Sequence, residues 1–215
     1  MIPQSSLAFD HLAVACRTLA EGVDHIEKNL GVIMPPGGAH PAMGTHNRLM
    51  ALNECEFLEA IAVNPEADAP SRTRWFGLDT FDAAARLGTW VVGTRDIDTS
   101  LALLTARLPD VDLGKPTRIT RGDLSWLITI RDDGSMPFDG AFPALIQWPV
   151  GQHPAARMID MGCSLASMTI EHPEGARIAD ALQGLLDDRR FVILTGSACR
   201  MRAEIASPTG IRVLF

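Results

Sequence analysis

The chain of 215 residues contains no tyrosine, although it has eight phenylalanines and four tryptophans. The tyrosine hydroxyl is a common proton donor in enzyme sites, so acid–base chemistry in this protein falls to other side chains, chiefly histidine and glutamate. Hydrophobic residues make up 47% of the chain and charged residues 21%. That balance is ordinary for a globular protein, and the length allows a sizeable core.

The chain is also short of positive charge and of long apolar segments. Its 19 lysines and arginines stand against 26 aspartates and glutamates, a formal charge of −7. A net anion is not attracted to nucleic acid or to an anionic membrane, so we expect neither as a partner. The longest charge-free stretches, 29–47 and 140–156, hold several prolines and glycines and predict no membrane-spanning helix. We also see no secretory signal in the first residues.

The four cysteines, Cys16, Cys55, Cys163 and Cys199, show no Cys-x-x-Cys spacing. That spacing is typical of zinc knuckles and redox motifs, so its absence disfavours both kinds of site. We expect reduced thiols and a cytoplasmic protein. A phosphate-binding loop is missing as well, because Pro35-Pro36-Gly37-Gly38 lacks the lysine and the strand-to-helix setting that such a loop needs.

One pattern occurs three times along the chain: an apolar strand, an amphipathic helix and further strands that end at a proline. In the first copy, residues 7–65, a strand at 9–15 is followed by Thr18-x-x-Glu21, which is typical of a capping box at a helix N-terminus. The helix carries one apolar stripe at steps of four, three and four residues, formed by Leu19, Val23, Ile26 and Leu30.

Two polar residues, His11 and Glu59, interrupt apolar strands of this first copy. Alternate side chains of a strand share a face, so His11 lies with Ala13 and Ala15. Carboxylates are seldom buried unpaired, so Glu59 needs a partner, either in a functional site or in a structural pair such as one with Arg48.

The remaining elements follow the same pattern. The first copy ends with strands at 45–52 and 57–63, after a segment, 35–44, that its prolines and glycines predict to be a loop. A connector, 66–87, leads to the second copy, 88–150. A shift of 78 residues maps the first apolar stripe onto the second, which consists of Ile97, Leu101, Leu104 and Leu108.

The third copy, 161–215, is shorter and ends in strongly apolar strands at 191–194 and 211–215. A strand–helix–three-strand unit leaves one sheet face that needs cover. Either this unit packs on the first two, or two such units pair across a symmetric dimer, and we favour the homodimer.

The repeated unit, with histidine on the first strand and glutamate on the last, resembles the vicinal oxygen chelate superfamily and, more narrowly, its glyoxalase-like domain family. The resemblance rests on the order of four segments: Phe9-Asp10-His11, Gly44-Thr45-His46-Asn47-Arg48-Leu49, Phe57-Leu58-Glu59 and Pro143-Ala144-Leu145-Ile146-Gln147-Trp148. It implies an α+β fold of βαβββ modules. The first two pair into a half-open barrel around a cavity in residues 7–155, and the third, 161–215, is appended.

The resemblance also implies where a site lies. In the superfamily, a metal, where present, is held by first-strand and last-strand residues of both modules. Those positions are His11 and Glu59 in the first module, and Thr89 and Gln147 in the second. Threonine and neutral glutamine are poor ligands beside histidine and carboxylate, so we expect divalent metal binding to be weak or absent.

His11 and Glu59 are therefore our candidates for the catalytic pair and, if a divalent ion binds, for its ligands. His40 or His46 could complete a three-ligand site. Trp126 and Trp148 suit a core as well as a pocket wall. The predicted substrate-binding residues are His40, Asn47, Trp126, Gln147 and Trp148.

Two functions stay open, because one fold hosts many reactions. The first is an enzyme of the lyase, isomerase or dioxygenase type that acts on a small oxygenated metabolite, through a metal on His11 and Glu59 or through the same pair as metal-free acid and base. The second is a non-catalytic protein that sequesters a small molecule, like the bleomycin-binding members.

Three other arginines have simpler interpretations. Arg72 and Arg74 could receive an anion, although solvated charges are the commoner case. We interpret Arg121-Gly122-Asp123 as a surface turn.

Overall fold

The computed structural model describes residues 7–151 and 153–215, and these residues form twelve strands and three α-helices. In chain order they are β1 (Ala8–Ala15), α1 (Leu19–Leu30), β2 (Gly37–His40), β3 (Thr45–Asn53), β4 (Glu56–Val63), β5 (Arg86–Gly93), α2 (Ile97–Arg107), β6 (Lys115–Arg121), β7 (Leu124–Ile130), β8 (Ala144–Gln147), β9 (Ser164–His172), α3 (Gly175–Leu182), β10 (Phe191–Thr195), β11 (Arg200–Ser207) and β12 (Gly210–Leu214). Short 3-10 turns lie at Pro41–Met43, Pro137–Gly140 and Pro154–Arg157.

The first eight strands form one sheet in the order β2-β3-β4-β1-β5-β8-β7-β6. Each half of this order is one βαβββ module, in which the first strand runs parallel to the fourth, and the halves join through the antiparallel pair β1 and β5. The sheet curls until its edge strands β2 and β6 approach each other, where Arg121 reaches His40. The predicted pairing of two modules into one barrel-like sheet is therefore confirmed, and the barrel, expected to be half-open, is nearly closed.

The helices begin and end largely as the sequence predicts. Thr18 caps α1, since its hydroxyl accepts a hydrogen bond from the Glu21 amide at 3.2 Å, and Gly31 ends it in the left-handed region at φ 69°. A capping box also predicts that the Glu21 carboxylate accepts a hydrogen bond from the Thr18 amide. That part of the prediction is wrong, because the Glu21 carboxylate accepts from the Ala85 amide and from Arg17 instead. None of the helices in the described ranges combines the length and the apolarity that a membrane crossing requires.

The prediction of a loop at 35–44 is wrong in its centre, because Gly37–His40 form the edge strand β2 against β3. A β-carbon on Gly37 would lie 2.1 Å from the Asn47 carbonyl oxygen, so only glycine permits this close pairing. The Asn47 side chain adds a hydrogen bond, since its Oδ1 accepts from the Gly38 amide at 2.9 Å. This strand brings His40 to the barrel interior.

The two faces of the large sheet carry different cores. Leu12 and Val14 face outward, toward the buried sides of α1 and α2. Ala13 and Ala15 face the concave side, as the strand alternation predicts, where the second apolar cluster surrounds them. That inner cluster also holds Trp75, Trp126 and the isoleucines of β4, β7 and β8.

The third unit keeps the predicted order of elements but not the predicted pairing. Its four strands form a separate sheet in the order β10-β9-β11-β12, in which β9 is an interior strand between β10 and β11. In the other two modules the first strand pairs with the fourth. The third unit is therefore a different arrangement of the same elements, and not a third copy of the module.

The small sheet lies against the outer face of the large one. Phe191 stacks on Trp90 with ring centroids 4.8 Å apart and lies 5.1 Å from Phe9. Arg190 binds both carboxylate oxygens of Glu56, at 2.8 and 2.5 Å. One face of this unit is thus covered from within the chain, whereas Val192, Leu194 and Ile211 of the apolar strands stay exposed. A homodimer stays a prediction. The two sheets lie within the ranges predicted as domains, 7–155 and 161–215, yet one apolar cluster spans both.

Candidate functional site

The concave face of the large sheet encloses a cavity of about 40 Å³ that opens to solvent. A single water needs at least about 10–15 Å³ on the same measure, so the cavity has room for only a few small groups. Its lining consists of His11, His40, Asn47, Leu49, Phe57, Glu59, Trp75, Phe76, Arg121, Trp126, Ile128, Ile146, Trp148 and Pro154.

His11 lies between two buried carboxylates. Its Nδ1 is 2.6 Å from Asp10 Oδ1, and its Nε2 is 3.8 Å from Glu59 Oε2. The strand register shifts between Phe9 and His11, and this bulge allows the side chains of two adjacent residues to bond to each other. The Phe57 ring stacks on the imidazole at 4.2 Å, which fixes the plane of His11.

Asp10 holds His11 from the side remote from Glu59. Its second oxygen, Oδ2, accepts hydrogen bonds from Trp148 Nε1 at 2.9 Å and from His153 Nε2 at 3.1 Å. Burial alone would raise the pKa of Asp10, but the hydrogen bonds and charges of His11 and His153 outweigh it and hold the pKa below its ordinary value. Asp10 is therefore an anion in the barrel wall.

Glu59 finds its partner in an amide and not in an arginine. Asn47 Nδ2 donates to Glu59 Oε1 at 2.6 Å. Burial raises the pKa of Glu59, against the opposing effects of the His11 charge and the Asn47 hydrogen bond. The structural pair with Arg48 is wrong, because Arg48 is the next residue along β3 and lies on the other face of that strand.

His40 stays uncharged in this site. Burial, together with a smaller effect in the same direction from the neighbouring Arg121 charge, lowers its pKa to about 3. Its Nε2 lies 3.5 Å from Arg121 Nη1, where it can only accept, so we assign the proton to Nδ1, which donates to Thr45 Oγ1 at 3.1 Å. Arg121 Nη1 also donates to Asn47 Oδ1 at 3.2 Å.

Gln147 does not reach the cavity, and its prediction as a substrate-binding residue is wrong. Its Oε1 accepts from the Ile97 amide at 2.8 Å, at the N-terminus of α2. The strand register explains why the prediction failed, because it shows which residue of β8 corresponds to Glu59 of β4. Glu59 pairs with Ala13, and the residue 78 positions after Ala13, Val91, pairs with Ala144. Ala144 is therefore the counterpart of Glu59, three residues before the position that the sequence indicated.

The residues present do not fit a divalent metal ion. Thr89, the counterpart of His11, donates to the Gly140 and Trp90 carbonyls and does not line the cavity. His46 does not line it either. Across residues 7–151 and 153–215, no three histidine, cysteine, aspartate or glutamate side chains are grouped to hold an ion. The Arg121 cation beside the site opposes one further.

Six of the seven site residues predicted from the sequence line the cavity, but three polar residues in or behind its wall were missed. His11, Glu59, His40, Asn47, Trp126 and Trp148 all line it. The residues missed are Asp10, Arg121 and His153. Asp10 had a signal, since it is the second polar residue in the run that contains His11. Arg121 ends β6, so its interpretation as part of a surface turn is wrong, and His153 precedes the 3-10 turn at Pro154–Arg157; neither has a local mark of function.

Comparison with known proteins gives the family. The family model described as the glyoxalase-like domain matches residues 9–186. A hypothetical protein from Staphylococcus aureus has a TM-score of 0.61 at 16% identity, with 90% of this chain and 88% of that chain covered. That likeness shows the fold.

Methylmalonyl-CoA epimerases are also similar, at lower TM-scores. A variant of the Streptomyces coelicolor enzyme, in complex with 2-nitronate-propionyl-CoA, has a TM-score of 0.45 at 16% identity, over 66% of this chain and 94% of that chain. The Mycobacterium tuberculosis enzyme has a TM-score of 0.43 at 18% identity, over 66% and 87%. No curated protein matches the sequence. Because the family model spans well over half of the chain, the protein belongs to the glyoxalase-like domain family.

Proposed function

We propose that this protein is an enzyme that moves a proton on a small oxygenated metabolite, with His11 and Glu59 as a metal-free acid–base pair. One observation carries the proposal. His11 Nε2 and Glu59 Oε2 face one cavity 3.8 Å apart, which is too far for a direct hydrogen bond. Each atom is thus free to bond to a substrate that lies against both.

The surroundings suit the two groups to opposite tasks. The Asp10 anion accepts a hydrogen bond from the Nδ1–H of His11, and this directs Nε2 toward Glu59. Burial makes Glu59 a stronger base than an exposed carboxylate, because it raises the pKa of the carboxyl group. A pair whose environments differ in this way can divide acid and base roles at neutral pH.

The proposed step transfers two protons. Glu59 removes the proton from a carbon next to a carbonyl, while protonated His11 gives its Nε2 proton to the carbonyl oxygen, and the substrate becomes a neutral enediol or enol. Return of a proton from Glu59 to carbon and of one from oxygen to His11 restores the enzyme. Reprotonation on the other face, or on the neighbouring carbon, gives a racemised or isomerised product.

The test is carbon–hydrogen exchange in D2O, followed by proton NMR with a panel of small 2-hydroxy aldehydes, 2-hydroxy ketones and 2-oxo acids. We expect exchange with at least one compound and a loss of about 100-fold or more in Glu59→Gln and in His11→Asn. Glu54→Gln, an exposed change in the β3–β4 turn, is the control and should exchange like the wild type. Equal exchange in Glu59→Gln would refute the assignment.

The size of the cavity favours the enzyme over a sequestering protein. Sites for drug-sized ligands enclose about 300–1,000 Å³. The cavity here measures about 40 Å³, so a large ligand would not fit without rearrangement of the wall. Tight binding of a small molecule without exchange of any of its protons would instead support the non-catalytic alternative.

We also propose that the protein works in a reducing compartment such as the cytoplasm. Its four cysteines are free thiols, and burial raises the pKa of Cys16 to about 12. The Cys16 thiol is therefore a poor nucleophile and suits a packing role. Fractionation of cells that express the chain would check the location.

A further inference from the structure

A guanidinium group without a counter-ion lies on the wall of the cavity. Arg121, the last residue of β6, donates from Nη1 to Asn47 Oδ1 and lies 3.5 Å from His40 Nε2. Both neighbours are neutral side chains. Within residues 7–151 and 153–215, Arg121 forms no ion pair, whereas Arg74, for example, binds Asp79 at 2.6 Å.

Most of the donors of Arg121 are unused. A guanidinium carries five N–H groups. The hydrogen bonds of Arg121 within the described residues involve Nη1 alone, so Nε and Nη2 have no acceptor there. A partly buried cation with free donors on a cavity wall is the arrangement that receives an anion.

The site also keeps its own carboxylate away from this cation. Asn47 stands between them, since its amide nitrogen donates to Glu59 and its amide oxygen accepts from Arg121. His40 accepts on the other side and remains neutral. Glu59 therefore does not neutralise Arg121 by direct contact, and the charge stays available to a ligand.

We propose that Arg121 binds the carboxylate of the substrate, which makes the substrate a small monocarboxylic acid with an oxygen on the carbon next to the carboxylate. The planar N–H groups of arginine match a carboxylate in two parallel hydrogen bonds. The small cavity favours a molecule of a few heavy atoms. The placement of the neighbouring carbon against His11 and Glu59 rests on the proposed function, but the binding of the carboxylate does not.

The test is direct binding, independent of catalysis. Three of the four tryptophans, Trp75, Trp126 and Trp148, line the cavity, so tryptophan fluorescence reports on occupancy. The probes are lactate, pyruvate, the neutral amide lactamide and inorganic phosphate. We expect lactate or pyruvate to bind the wild type at least about 10-fold more tightly than lactamide or phosphate.

Variants of two arginines on β6 distinguish binding at Arg121 from a general effect of positive charge. Arg121→Gln should weaken binding of the carboxylate about 10- to 100-fold, while Arg118→Gln, an exposed change on the same strand, should leave it unchanged. Arg121→Lys keeps the charge but loses the paired N–H groups, so its affinity for the carboxylate should lie between those of the wild type and Arg121→Gln. This variant also serves as the test if Arg121→Gln does not fold.

The outcomes also distinguish this proposal from the proposed function. Equal binding of lactate and lactamide, unchanged carboxylate binding in Arg121→Gln, preference for phosphate, or no binding of any carboxylate would each overturn the subsite, even if Glu59→Gln abolishes proton exchange. Loss of carboxylate binding in Arg121→Gln, with unchanged exchange in Glu59→Gln, would support the subsite and overturn the acid–base pair.

Discussion

The two halves of the barrel share one topology but differ in what they present to the cavity. The strand registers align the modules residue by residue, because His11 and Thr89 occupy equivalent positions in β1 and β5 and the pairings within each module then fix the other positions. Four polar residues of the first module correspond to a threonine and three apolar residues in the second. The pairs are His11 and Thr89, His40 and Ile119, Asn47 and Ile128, and Glu59 and Ala144.

This difference shows how a duplicated module divides its work. The first module supplies the acid–base pair, His11 and Glu59, and the amide of Asn47 that bonds to Glu59. The second supplies the Arg121 cation and an apolar wall that includes Ile128, Ile146 and Trp126. Because that wall excludes water, it contributes to the burial that raises the pKa of Glu59, so the chemistry of one half depends on the apolar surface of the other.

The largest effect should come from copying the polar pattern into the second half. Ala144→Glu places a carboxylate at the buried counterpart of Glu59. The counterpart of Asn47 is Ile128, so no side-chain amide can donate a hydrogen bond to the new carboxylate. We expect a loss of about 3 kcal/mol or more in the free energy of unfolding at pH 7, from urea denaturation, and a smaller loss at pH 4.5, where the carboxylate is more easily protonated.

The control for that change is Ala144→Gln, which adds similar bulk without charge. It should cost less at pH 7 and show no comparable dependence on pH. Equal losses for the two variants at both pH values would mean that volume, and not charge, separates the two halves.

A smaller effect should follow from removing the anion behind His11. Asp10→Asn loses the charge that three donors share, and we expect about 2 kcal/mol of destabilisation at pH 7. The folded pKa of Asp10 is lowered, so its contribution is present at neutral pH and disappears as the pH falls below the ordinary aspartate value of 3.8. Wild type and Asp10→Asn should therefore converge in stability toward acid pH.

Asp123→Asn is the matched control, because Asp123 forms an exposed pair with Arg157. It should change the unfolding free energy little at any pH. A difference between wild type and Asp10→Asn that stays constant down to pH 2.5 would contradict the role of charge at Asp10.

The sequence predicted the repeated module and half of the site for clear reasons. Apolar stripes at helical spacing and alternating strands are local signals, and the 78-residue shift between Leu19 and Ile97 tied the two modules together. His11 and Glu59 were visible because each interrupts an apolar strand. These signals depend on neighbours in the chain.

The features that were missed depend on contacts between distant segments. The strand at Gly37–His40 forms because β3 pairs with it, and its proline- and glycine-rich neighbourhood conceals this. Gln147 was misplaced because the strand register of β8 is set by β5. Arg121 meets Asn47 only because the barrel closes across 74 residues of sequence.

The smallest expected effect on stability, and the one of opposite sign, concerns Glu59 itself. Glu59→Gln keeps an oxygen that can accept from Asn47 and removes a charge that burial disfavours. The folded pKa of Glu59 is raised, so the folded protein holds this proton more tightly than the unfolded chain, and wild-type stability falls as the pH rises from the ordinary value of 4.5 through the raised one. We therefore expect Glu59→Gln to match the wild type near pH 4 and to be the more stable of the two at pH 8. The measurement is urea denaturation across this pH range, with Glu54→Gln as the exposed control that should track the wild type throughout.

A Glu59→Gln variant that is less stable than the wild type at pH 8 would mean that His11 and Asn47 stabilise the Glu59 anion by more than its burial costs. The first module would then hold its carboxylate for stability as well as for chemistry.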